Sequence, residues 1–119
     1  MKSSAIVLGG LALLLACGHA FGQTQFEMDQ QADAEFHKAD VKLNQTYGKL
    51  MGKLDDEGQK KLQVAERAWI KFRDAEAEAE ADDYRGGTMA PMDYSMCLTR
   101  ETKARTADLE ERIDELDSR

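Results

Sequence analysis

Proline occurs once in this chain, at Pro91, and glycine is absent from Gln23 to Tyr47 and again from Gln59 to Arg85. Those stretches are rich in Ala, Glu, Lys, Leu and Gln, which lose little conformational freedom on entering a helix. No segment alternates polar and apolar residues as a half-buried strand does, and no internal repeat is present. The chain is therefore expected to be all-α, built from a few long helices.

Three helical segments follow from the apolar spacing. The first runs from about Glu27 to Leu54, with Ala32, Phe36, Ala39, Leu43, Tyr47, Leu50 and Leu54 at steps of four and three. That spacing draws one stripe along a helix. Gly48 and Gly52 weaken its last turns. The second runs from about Glu57 to Tyr84, with Leu62, Ala65, Trp69 and Phe72 as its stripe and Ala75 and Ala79 as a weak continuation. Trp69, the largest apolar side chain, is the expected anchor of the core. Asp55, Asp56 and Glu57 suit that helix's start, whereas the acidic run Glu76 to Asp83 opposes its dipole. Arg85 to Pro91 reads as a loop in which Gly86 takes the left-handed conformation and Pro91 precedes a helix. The third segment, about Met92 to Asp117, places Leu98, Thr102, Arg105, Leu109, Ile113 and Leu116 on one face. Arg105 is out of place in that stripe and needs an acidic partner if buried. Short connections between three such stripes imply a small three-helix bundle, or an elongated helical hairpin with a third packed helix.

The start of the chain has a different character. Met1-Lys2 is followed by an uncharged run from Ser3 to Phe26, with Ala5 to Ala16 almost purely apolar. This is the layout of a secretory signal, and it is too short for a spanning helix of about 20 apolar residues. Cleavage before Gln23 fits the small residues Ala20 and Gly22, making 1–22 a signal peptide and 23–119 a single domain. Leu14-Leu15-Ala16-Cys17 also resembles a lipobox, in which Cys17 would be lipidated. Periplasmic or secreted localisation is expected, with lipid anchoring the alternative.

Residues 23–119 keep 15 basic and 23 acidic side chains, a formal charge of −8. Nucleic acid and anionic lipid are poor partners for such a surface, and a basic protein is a better one. Without Cys17 the domain has one thiol, Cys97, which would be buried or would join two chains through a disulfide.

Catalysis needs a base placed beside a nucleophile or proton donor. The domain has one histidine, His37, and its serines, Ser95 and Ser118, have no histidine nearby in sequence. No enzyme and no cofactor are expected. Asp33, His37 and Asp40 share a helical row, which reads as solvated surface before it reads as a metal site. Met89, Met92, Met96 and Cys97 offer soft sulfur that would suit Cu(I), against a packing role at a loop–helix junction. Asp40, Asn44 and Tyr47 on the first helix, Trp69 and Arg73 on the second and Arg105 on the third form a candidate structural network. In it, Asp40 would meet Arg73 or Arg105, and Asn44 would meet the Trp69 indole N–H.

The segments Thr24 to Met28, Ala39 to Tyr47, Leu62 to Glu76, Gly86 to Thr88, Tyr94 to Thr99 and Arg105 to Leu109 together resemble the LprI N-terminal domain family of exported, lysozyme-inhibitor-like bacterial proteins and lipoproteins. The resemblance covers nearly all of 23–119. It implies a non-catalytic envelope protein that binds another protein, a basic lysozyme first among the expected partners. Arg85, Gly86, Gly87 and Thr88 would then be the binding loop. Copper binding through the Met/Cys cluster and a structural or stress-related envelope role are the alternatives. The resemblance also implies cysteines where this chain has Gln31 and Ala77, so Cys97 has lost its mate and the family's disulfide support is absent.

Overall fold

The structure is a computed structural model, and it describes residues 24–119. The signal sequence expected at 1–22, with Cys17, lies outside the described residues. Three helices account for nearly everything else: α1 (Gln25–Met51), α2 (Asp56–Ala81) and α3 (Ala90–Asp117). A single 3-10 turn, Asp82–Tyr84, follows α2. At 1.5 Å per residue each helix is roughly 40 Å long.

Local chemistry sets the ends. Thr24 caps α1 by accepting from the Glu27 amide at 3.2 Å. Asp55 does the same for α2, accepting from Gly58 N–H at 2.8 Å, and such caps contribute about 1 kcal/mol each. α1 ends at Met51, one turn short of Leu54, with Gly52 as its C-cap. Gln59 Nε2 reaches back to the Met51 carbonyl at 2.9 Å and satisfies an acceptor that the helix leaves open. α2 has no basic residue in its last turn, and the chain tightens into the 3-10 turn before Gly86 reverses it at φ +78°. Ala90 and Pro91, expected in the loop, belong to the first turn of α3. Proline costs nothing there because its missing N–H has no helical partner.

The helices form a three-helix bundle in which α1 and α2 pack chiefly on α3 rather than on each other. α1 and α3 run parallel: Asp33 accepts from Ser95 near one end, and Lys53 pairs with Asp117 at the other. α2 runs antiparallel to both. The α1 stripe is as expected, with Ala39, Leu43 and Leu50 buried. The α3 face is as expected too, with Leu98, Thr102 and Leu109 buried.

The α2 stripe is different from the one anticipated. Its buried residues are Leu62, Glu66, Arg73 and Ala77, while Ala65, Phe72, Ala75 and Ala79 are exposed. The helix is rotated so that two charged side chains face α3. The physical reason lies on α3, where Arg105 demands a carboxylate and Glu66 supplies it.

The apolar core is consequently in two parts. Leu43, Leu50, Leu62 and Leu109 pack together near the α1–α2 connection, flanked by Tyr47, Trp69 and Ile113. Ala77, Cys97 and Leu98 form the second part with Phe36 and Tyr94. Between them lies a layer of buried polar groups.

Candidate functional site

All three helices contribute to the polar layer. Arg105 of α3 donates through Nε and a terminal N–H to Glu66 Oε2, at 3.0 and 2.9 Å. The two side chains are 18% and 11% exposed, so little water screens the pair. Arg73 of α2 lies 3.7 Å from Asp40 Oδ1 on α1 and donates to Asp74 at 3.0 Å. It also reaches Thr102 Oγ1 on α3 at 3.5 Å. The Arg73 guanidinium carbon sits 5.2 Å from the centres of both the Phe36 and the Trp69 rings. Arg105 approaches the same indole at 5.8 Å. Two cations therefore share one aromatic ring, a contact of about 0.5–2 kcal/mol each, and both are neutralised by carboxylates from other turns.

The structure thus brings together Asp40, Trp69, Arg73 and Arg105. It places Tyr47 half-buried against the neighbouring leucines. Asn44 is exposed, and no hydrogen bond among the described residues joins it to Trp69. Glu66 is the member that sequence reasoning missed. Its signal was position: Leu62, Glu66, Trp69 and Arg73 are spaced four, three and four, and apolarity alone hid that row.

Because α1 and α2 both lean on α3, an open groove of 510 Å³ remains between them, with Asp40, Asn44 and Tyr47 on one wall and Arg67, Ile70 and Arg73 on the other. Of its charged groups, Asp40 faces Arg73 and Glu66 is taken by Arg105, so the groove is a by-product of the polar layer before it is a pocket for a small molecule.

The opposite feature is found at the α2–α3 connection. Glu76, Glu78, Asp82 and Asp83 are exposed there, where the C-terminal end of the α2 dipole disfavours negative charge. Arg85 is exposed and its guanidinium is held by both oxygens of Asp82. This bonding holds the Asp82 carboxyl below its usual range. Two residues before Asp82, Glu80 is gripped by Arg100 of α3 through two N–H groups at 3.1 and 2.6 Å, which lowers the Glu80 carboxyl as well. The loop Arg85 to Thr88 is therefore short, exposed, anchored at both sides and set in negative potential.

The sulfur residues do not share one face. Cys97 is fully buried in the second core cluster with Ala77, and burial followed by the nearby Glu80 pushes its thiol up to about 11. Met89 stands at the loop, 38% exposed. Met92 and Met96 turn toward α1, where Met28 completes their cleft. A disulfide between two chains through Cys97 is likewise closed in this fold, because the thiol does not reach the surface. In the row Asp33, His37 and Asp40, the two carboxylates are taken up by Ser95 and Arg73, and His37 lies against Phe36. No group of three His, Cys, Asp or Glu side chains suited to a metal occurs among the described residues.

A family model described as "Lysozyme inhibitor LprI" matches residues 17–109. An uncharacterized protein of Rhizobium meliloti (strain 1021) is 35% identical over 104 residues, an alignment covering 76% of this chain and 75% of that one. No solved structure matches the chain.

Proposed function

The chain belongs to the LprI lysozyme-inhibitor family, and on that premise we propose that it is a non-catalytic, exported protein that binds a basic lysozyme and inhibits it. The family match carries this reading. The apolar, uncharged start of the chain supports export, with 1–22 removed as a signal peptide and 23–119 acting as the domain. No helix among the described residues is long and apolar enough to cross a membrane.

The physical route runs through the acidic connection between α2 and α3. Lysozymes act through two carboxylates in a cleft, and their basic surfaces attract an acidic partner. Glu76, Glu78, Asp82 and Asp83 steer the approach. Arg85 to Thr88 then enters the cleft, where Arg85 exchanges its Asp82 partner for the catalytic carboxylates. The polar layer of Glu66, Arg73 and Arg105 sets the register that presents this loop and takes no part in contact.

A cell-wall lysis assay, with the purified protein titrated at low and physiological salt, tests both levels. The expected result is near-stoichiometric inhibition that weakens as salt screens the attraction. A folded, helical protein that fails to inhibit at large molar excess would overturn the inhibitor reading. Full inhibition by Arg85→Ala and by a shortened loop would remove the loop and leave the inhibitor reading intact.

A further inference from the structure

α2 carries a second apolar stripe that the bundle does not use. Val64, Ala65, Ala68, Phe72, Ala75 and Ala79 are all exposed, Val64 by 67% and Phe72 by 54%. At about 100° per residue these six fall within an arc of about 100° and run for more than four turns. They face away from the row Leu62, Glu66, Arg73 and Ala77 that meets α3.

The charges along the stripe are polarised. Lys60, Arg67 and Lys71 border it toward the start of the helix, and Glu78 and Asp82 follow on the same edge toward its end. Among the described residues, Lys60, Arg67, Lys71 and Glu78 make no ion pair. A helix that is basic at one end and acidic at the other is complementary to a copy of itself laid antiparallel, and clashes with a copy laid parallel.

We propose that this stripe is the interface of an antiparallel homodimer, formed by α2 of two copies about a two-fold axis near Phe72. In that register Ala68 faces Ala75, Val64 faces Ala79, and Arg67 comes opposite Glu78. Four alanines allow the helix axes to approach closely, and the two Phe72 rings close the centre. The arrangement is isologous, so it ends at two chains. One helix pair buries less than the roughly 800 Å² per partner of a standard interface, and each domain carries a net charge of −8 from residues 23–119. The dimer is therefore weak and concentration-dependent.

Sedimentation velocity on the purified protein, across the micromolar range, tests it. The parent shifts toward the mass of two chains as concentration rises. Phe72→Glu places two like charges at the axis and raises the dissociation constant at least about tenfold, with helicity unchanged because the site is exposed. Arg67→Glu and Glu78→Lys each weaken self-association, and mixing the two restores a dimer. A parent that stays monomeric at the highest concentration overturns the proposal, as does Phe72→Glu associating like the parent, or failure of the mixture to recover. A monomeric parent that instead binds phosphatidylglycerol vesicles would assign the stripe to a lipid surface and overturn it equally.

Discussion

Replacing Glu66 by leucine removes the carboxylate and keeps roughly its volume, and the consequence follows from the polar layer. Arg105 loses the acceptor of both its hydrogen bonds, at 3.0 and 2.9 Å, while its side chain remains only 18% exposed. Asp40, the acid that α1 brings to the layer, already faces Arg73 at 3.7 Å. Breaking a buried pair on one side costs about 3–5 kcal/mol, and the residual exposure places this one at the low end, about 3 kcal/mol. A domain of this size has roughly 5–14 kcal/mol in all, and each kcal/mol moves its midpoint by about 4–8 °C. Glu66→Leu should therefore lower the thermal midpoint, followed by circular dichroism, by about 12–24 °C. Glu66→Leu/Arg105→Met should recover most of that loss, because an apolar pair of similar volume replaces an ionic one. A shift below about 4 °C for the single variant, or a double variant no more stable than the single ones, would refute the account of the layer.

Four further outcomes are expected. Ala77→Cys, in the cluster with Cys97, should form a disulfide on oxidation, seen as a mass loss of two hydrogens, and stabilise the fold by about 3 kcal/mol; two free thiols after oxidation would show that the pair is misaligned. Two glycine variants should move in opposite directions in urea titrations. An added Cβ at Gly48 meets nothing within 4 Å, so Gly48→Ala stabilises by about 0.5–1 kcal/mol, whereas Gly86→Ala costs about 1–2 kcal/mol because φ is +78°. Cys97, with its thiol raised to about 11, should resist a thiol reagent at pH 8 and react fully in guanidinium; rapid labelling of the native protein would contradict its burial. The Glu80 carboxyl is lowered from 4.5, chiefly by its hydrogen bonds to Arg100, so its contribution is complete above that value and is lost as pH falls through the lower folded one. Glu80→Gln should thus flatten part of the acid side of the stability profile, and an unchanged slope would count against it.

Much of the fold was legible because it rests on periodicity. The α1 row from Phe36 to Leu50 and the α3 row from Leu98 to Leu116 each offer one apolar face, and both pack as their spacing implies. α2 was misjudged for the opposite reason: it has two candidate faces. Apolarity favours the one with Phe72, and the bundle buries the one with Glu66 and Arg73. Only the requirement imposed by Arg105 on another helix decides between them, and pairings across helices leave no trace in local spacing. The need of Arg105 for an acid was readable, and so was a meeting of Asp40 with Arg73 or Arg105; that Asp40 takes Arg73 and Glu66 answers Arg105 was not. The sulfur row failed as a cluster because Met96 and Cys97 are adjacent in sequence, and a helix sends adjacent side chains about 100° apart.

The parallel pairing of α1 with α3 bears on the order in which the chain can assemble. Its ties span nearly constant gaps, 62 residues from Asp33 to Ser95 and 64 from Lys53 to Asp117. The antiparallel α2–α3 ties shorten from 39 residues at Glu66–Arg105 to 20 at Glu80–Arg100, so that pair can zip outward from its turn. Closing a gap of 64 rather than 20 residues costs about 1 kcal/mol more in chain entropy, and contacts so distant are made late. During synthesis α1 emerges first but must wait for the final turns of α3 before it has a partner along its length. The helix made first is the one secured last.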